Sequence, residues 1–289
     1  MSFKEFADDI RKNEWNVFGA ELYEDGVLTH TYGDTRNELH EIYSATKTIL
    51  SIAVGIAVGE KRFDISKPIL SYLPAGKVGK LSAEQKEAFS SITVERLLAM
   101  SVAGLPFRAE GDSYIDFALN VKLPNPGERT FNYSNICSHL VAVALTEVLG
   151  TDLGGFIEER IFRPLGIDRY EYARCPEGYF YGASGVKLTV NELSRIGLLL
   201  YNKGTFDGQR IVSEEYVRTA TSVHQMCREG GYGYFIWKYR DGFSINGRLG
   251  QKCYVLPNQK LIVSYLCHIE DEFRDLLNSM ERNILGVNV

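Results

Sequence analysis

Two short stretches of this 289-residue chain hold the side-chain types that acyl transfer requires. Such a reaction needs a nucleophile, a base to take its proton, a proton source for the leaving group and a site for the developing oxyanion. Ser44-Ala45-Thr46-Lys47 offers the first two. Where Ser44 opens a helix, Lys47 lies one turn on, on nearly the same face. The run from Ala45 to Lys61 is apolar nearly all round, which predicts a helix buried in the middle of the protein. A lysine on such a helix loses hydration, its charged form is disfavoured and its amine can serve as a base. The positive end of the helix also favours negative charge developing beside Ser44.

Composition alone gives a chain of this size about one Ser-x-x-Lys by chance. A second copy, Ser184-Gly185-Val186-Lys187, lies in a glycine-rich loop with no buried helix to dehydrate its lysine. Even at the first copy, a helix cap with a snorkelling lysine would account for the residues. Tyr133-Ser134-Asn135 tips the balance. It is the one Tyr-x-Asn in the chain, in a Pro/Gly loop at a helix start that can present a phenol and an amide to a cleft. A tyrosine relays protons to a leaving group where nearby cations lower its pKa. Asn135 could hold a substrate carbonyl or orient Lys47. The bland alternative for Tyr133 is a core tyrosine with a satisfied hydroxyl.

These motifs must be positioned by two kinds of structure. Helices are expected over residues 3–13, 82–89, 93–100, 113–120, 134–149, 153–160, 189–202, 213–221 and 270–284. Strands are expected over 16–23 and 27–32, joined by an Asp25-Gly26 turn, and over 232–239, 243–246, 251–256 and 261–268. Strands at both ends with helices between them imply one antiparallel sheet completed by both termini. The reading is an α+β fold in which 1–61 and 176–289 form the sheet-containing lobe and 62–175 an inserted, mostly helical lobe.

In the order and spacing of its motifs the chain resembles the serine beta-lactamase and penicillin-recognising family, specifically the class C-like and esterase branch. The separation from Ser44 to Tyr133, 133 − 44 = 89 residues, suits that family. The likeness extends to Ile92 through Leu98 with Gly104-Leu105-Pro106, to Pro126 through Phe131, to Pro164-Leu165-Gly166-Ile167 and to Gly231-Tyr232-Gly233-Tyr234. Where the family's Lys-Thr-Gly would stand, the chain reads Gly247-Arg248-Leu249-Gly250-Gln251. That is similar to the Gly-x-x-Gly-Gln form of members resembling esterases and 6-aminohexanoate-dimer hydrolases. The resemblance implies a beta-lactamase-like fold, a Ser44 acyl-enzyme, and Lys47 and Tyr133 as proton-transfer groups. It also implies substrate contacts from Asn135, Gly250 and Gln251, and an oxyanion hole made of the Ser44 and Gln251 backbone N–H groups. Arg248 would bind a substrate carboxylate or simply face solvent.

Composition narrows the remaining possibilities. A net charge of -5, with no stripe of aromatics interleaved with Arg and Lys, excludes an electrostatic footprint for nucleic acid. The five cysteines are scattered without a Cys-x-x-Cys pair and no His-x-x-x-His occurs, so neither a metal nor a cofactor is expected. No Gly-x-Ser-x-Gly elbow anchors a Ser-His-Asp triad. The first residues lack a signal-peptide pattern, and the longest apolar stretch, 49–58, is about half of a membrane span. A reduced, cytoplasmic protein with no membrane partner is therefore expected, its oligomeric state open. The expected activity is hydrolysis of a small-molecule ester or amide. A true beta-lactamase or D-alanyl carboxypeptidase is the alternative that the changed third motif and absent leader weigh against. A non-catalytic, penicillin-binding-like sensor is the alternative outside enzymes.

Overall fold

The computed structural model describes residues 2–228, 230–270 and 273–287. Ser2 caps the first helix, α1 (Phe3–Lys12), its hydroxyl accepting from the Glu5 N–H at 3.1 Å. The hairpin β1 (Val17–Glu24) and β2 (Val27–Gly33) follows. Its turn residues Asp25 and Gly26 have φ of 50° and 80°, the left-handed pair that matches strand twist in a two-residue turn. Strand β3 (His40–Glu41) and a 3-10 turn over Tyr43–Ala45 lead into α2 (Thr46–Gly59). The central block contains α3 (Ala75–Val78), α4 (Ala83–Ser90), α5 (Val94–Leu98), α6 (Tyr114–Leu119), α7 (Asn135–Leu149) and α8 (Leu153–Ile157). Beyond it come β4 (Lys187–Leu188), α9 (Val190–Tyr201), β5 (Thr205–Phe206), β6 (Gln209–Arg210) and α10 (Glu214–Thr221). The chain ends with β7 (Trp237–Tyr239), β8 (Gly242–Asn246), β9 (Lys252–Leu256), β10 (Leu261–Cys267) and α11 (Phe273–Asn283).

The main sheet has the order β2-β1-β10-β9-β8-β7, antiparallel throughout, so the amino-terminal hairpin is zipped onto the carboxy-terminal meander. Tyr23 of β1 lies opposite Ile262 of β10. One face is covered by α1 and α11, with Phe6, Ile10, Leu276 and Met280 packed with Val263 and Tyr265. The other carries α9, and Gly197 is needed there because a side chain would meet Cys253 Sγ. Helix α2 runs through the middle of the protein, with Ile49, Leu50, Ile52, Val54 and Ile56 all buried. Their burial contributes roughly 10 kcal/mol together. That exceeds the several kcal/mol needed to dehydrate one lysine on the same helix.

The expected elements recur with shifted ends, and two differ in kind. Ser44 does not cap α2. It sits in the 3-10 turn before it, entered through Tyr43, whose φ of 47° turns the chain sharply. Of the strand expected over 232–239 only Trp237–Tyr239 is extended. Phe235 has φ of 57°, and the Tyr234 N–H turns to the Ala220 carbonyl at 2.9 Å, tying this stretch to the end of α10. The closing helix starts at Phe273, and residues 271 and 272 of the range expected for it lie outside the described residues. Two ribbons, β3 with β4 and β5 with β6, were not anticipated. Among the described residues no single helix is long and apolar enough to cross a membrane.

Candidate active site

Lys47 is 1% exposed, and its amine is held by three oxygens from three separate parts of the chain. Nζ is 3.1 Å from Ser44 Oγ, 2.8 Å from Asn135 Oδ1 and 2.8 Å from the Ala183 carbonyl. Burial drives its pKa down to about 7, and only the neighbouring Cys137 pulls it back up. The two anchoring acceptors are neutral, so they hold the amine without demanding its charge.

Each anchor is fixed by local structure. Asn135 begins α7, and the Ser134 cap before it accepts from the Ile136 N–H and donates to the Pro106 carbonyl at 2.5 Å. Two residues before that cap, the Asn132 amide donates to the carbonyls of Val102 and Leu105. Arg96, 2% exposed, grips the loop from the other side through the carbonyls of Ser101, Pro126 and Glu128. The Ala183 carbonyl reaches Lys47 because residue 182 is glycine. A side chain there would lie 2.7 Å from Leu50 and 2.9 Å from Ala142.

The Tyr133 phenol interacts with the Ser44 hydroxyl, and Lys47 Nζ lies 5.1 Å from the centre of its ring. The ring stacks on Trp237 at 5.5 Å and meets Tyr232 edge-on at 6.1 Å. This apolar surround raises the phenol to about 12, so it remains a proton donor at neutral pH. The expectation that cations lower it is corrected: dehydration outweighs the lowering effect of the Ser44 hydrogen bond.

Ser44 and Tyr133 open onto a cleft of about 760 Å³. Its wall includes Trp237, Asn246, Gly247 and Arg248, and its far end runs along α11 to Arg274 and Glu281. Arg248 therefore faces the cleft, exposed at its rim. Gly250 and Gln251 do not line it. Gln251 is 1% exposed and braces the wall from behind, its amide donating to the Arg248 and Cys267 carbonyls while Oε1 accepts the Cys267 N–H. Its side-chain amide is thus committed to the wall, away from the cleft. The second Ser-x-x-Lys makes no such site, since Lys187 is paired with Glu171 at 2.7 Å on the surface.

Two cleft residues went unnoticed in the sequence. Lys252 and Asn246 lie opposite each other on β9 and β8. Dehydration brings the Lys252 amine down to about 8, and Asn246 Oδ1 is buried without a partner. The available signal was a lysine two positions before Tyr254 on one face of an inner strand.

A family model described as beta-lactamase matches residues 22–284. A curated 6-aminohexanoate-dimer hydrolase of Paenarthrobacter ureafaciens is 23% identical over 210 residues, covering 67% of this chain. The matched stretch spans about half of that relative, 54% of its length. Among solved structures, a Bacillus anthracis protein assigned as a 6-aminohexanoate-dimer hydrolase aligns over 98% of this chain and 81% of its own, with a TM-score of 0.79 and 18% identity. A penicillin binding protein from Bacillus halodurans aligns over 96% of this chain and 99% of its own, with a TM-score of 0.74 and 16% identity. At such identities these structures speak to the fold alone.

Proposed function

The chain belongs to the beta-lactamase family, and from that premise we propose that it is a serine hydrolase cleaving small-molecule esters or amides through a Ser44 acyl-enzyme. The observation that carries this reading is the buried Lys47 amine, 3.1 Å from Ser44 Oγ and anchored by neutral acceptors. Neutral Lys47 donates its two N–H groups to Asn135 Oδ1 and the Ala183 carbonyl, leaving its lone pair for the Ser44 proton. As Ser44 Oγ bonds to the substrate carbonyl carbon, that proton passes to Nζ. Tyr133 gives its phenolic proton to the leaving group and regains one from the Lys47 ammonium. In the second step the same pair takes a proton from the attacking water.

The Ser44 N–H is one donor to the oxyanion. The second is drawn from the cleft-lining stretch rather than from Gln251. The Gly247 N–H is committed to the Gln251 carbonyl at 2.8 Å, which leaves that of Arg248. Such a donor contributes roughly 3–4 kcal/mol in other acyl-transfer enzymes. Among its described lining residues the cleft carries Lys238, Arg248, Lys252 and Arg274 against one acid, Glu281, already paired with Arg240 at 2.8 Å. A substrate bearing a carboxylate fits that imbalance.

A fluorophosphonate probe, followed by peptide mapping, tests the nucleophile. Label is expected on Ser44 of the folded wild type and on nothing in Ser44→Ala. Label elsewhere, or hydrolysis retained by Ser44→Ala, removes the assignment. Running p-nitrophenyl esters beside nitrocefin separates the rivals: rapid nitrocefin turnover would indicate a beta-lactamase, and a stable penicillin adduct without turnover a sensor.

A further inference from the structure

Behind the Lys47 anchors lies a second cluster that the hydrolytic reading does not use. His139, on α7 one turn after Asn135, faces Cys175 and Glu177 from the turn that precedes Gly182 and Ala183. One imidazole nitrogen, the thiol sulfur and one carboxylate oxygen all lie within 4.8 Å of one another. His139 is 1% exposed, Cys175 5%. Both ring nitrogens of His139 are buried without a hydrogen-bond partner, and Oε2 of Glu177, buried too, has only the Cys175 thiol beside it. Buried polar atoms are almost always paired, so an imidazole with both nitrogens orphaned beside a thiol and a carboxylate calls for a ligand. The other oxygen of Glu177 is occupied, accepting from Ser113 Oγ at 2.9 Å and from the Ile115 N–H at 2.8 Å, which fixes the carboxylate with Oε2 left over. The Tyr114 and Tyr181 rings, 5.6 and 6.1 Å from the imidazole, flank the cluster.

We propose that His139, Cys175 and Glu177 bind a zinc-type divalent cation that ties α7 to the 175–183 segment. Imidazole, thiolate and carboxylate together are the donor set zinc accepts, whereas magnesium and calcium select oxygens alone. Binding forms a sulfur–metal bond as the Cys175 thiol loses its proton to solvent. The imidazole contributes a lone pair and Glu177 its free oxygen. The two segments so joined are those that present Asn135 Oδ1 and the Ala183 carbonyl to Lys47. The cation is thus a structural staple behind the site, and the proposal stands whether or not Ser44 is a nucleophile.

Cobalt(II) added to the chelator-stripped full chain tests this by absorbance. One equivalent should bind with a near-ultraviolet sulfur-to-cobalt charge-transfer band, which zinc displaces. Cys175→Ser should abolish the band and Cys227→Ser should keep it. His139→Gln should weaken cobalt binding about 100-fold or more, at least the cost of losing a supporting partner. Zinc should raise the melting temperature of the wild type but not of Cys175→Ser. A wild type without a sulfur band, a band that survives in Cys175→Ser, or a melting temperature indifferent to zinc would overturn the proposal and leave a buried water in the cluster. Should Cys175→Ser fold poorly by circular dichroism, the wild-type band and its zinc-dependent melting decide the matter alone.

Discussion

On the proposed mechanism, acidification should silence Ser44 along a curve that belongs to Lys47. The amine sits at about 7 against an ordinary 10.5, because it is dehydrated and no carboxylate restores its charge. The cation is thereby disfavoured by roughly 5 kcal/mol. Such an amine is half neutral at pH 7, about 1% neutral at pH 5 and about 99% at pH 9. Since the neutral form is the base, acylation should rise about 100-fold from pH 5 to pH 9 and level off above about pH 8. Tyr133, raised to about 12, adds no descending limb within that range. The assay is the second-order rate of Ser44 phosphonylation by a fluorophosphonate, followed by stopped flow, which reports the first step free of deacylation. Lys47→Arg supplies the control. Arginine does not deprotonate, so the limb should vanish and the rate at pH 9 fall about 1,000-fold or more. A midpoint near 10, a flat profile, or a limb that survives in Lys47→Arg would refute the reasoning.

Three further outcomes follow from the same contacts. Asn135→Asp puts a carboxylate in place of the amide 2.8 Å from Lys47 Nζ. It should move the acylation limb upward by about 1–3 pH units, and an unmoved limb would show that residue 135 does not touch the base. Arg96→Met leaves the carbonyls of Ser101, Pro126 and Glu128 without their donor. It should cost roughly 3 kcal/mol in urea unfolding and lower kcat more than it raises KM, because it loosens the loop bearing Tyr133. An unchanged urea midpoint would deny Arg96 its bracing role. Lys252→Met should raise KM about tenfold for a carboxylate-bearing ester and leave an uncharged ester unaffected, with equal effects on both counting against the anionic substrate.

Much of this arrangement was legible because it is local. Ser44 and Lys47 are three residues apart, and the all-round apolar run after them already requires a central helix whose lysine is dehydrated. The Lys47–Asn135 contact spans 88 positions, and no periodicity predicts it. It was reached through motif order. The Ala183 carbonyl was out of reach altogether, since every residue carries one, and Gly182 is its only trace in the sequence. The stretch 232–239 misled because its aromatics imitate a strand, whereas Tyr232, Tyr234, Phe235 and Ile236 are all buried, with no alternation of faces. Gln251 misled for a different reason. The resemblance to the Gly-x-x-Gly-Gln form placed it at the site, whereas here the strand β10 backbone at Cys267 holds its amide.

On the proposed mechanism, what sets the direction of proton flow is one physical cause acting on two unlike groups. In water a lysine and a tyrosine titrate almost together, at 10.5 and 10.0. Dehydration penalises whichever form is charged, so it lowers the amine and raises the phenol. In the seam between α2, α7 and the Gly182–Ala183 segment this opens a gap of about five pH units between them, from about 7 to about 12. The lysine becomes the group that gives up its proton first, the state the proposed mechanism needs to take one from Ser44, and the tyrosine keeps the proton that mechanism assigns to a leaving group. A carboxylate in place of Asn135 would hold Lys47 charged and erase that order. The two proposed roles therefore depend on the residue types at 47 and 133 and equally on neutral acceptors closing a dry seam around them.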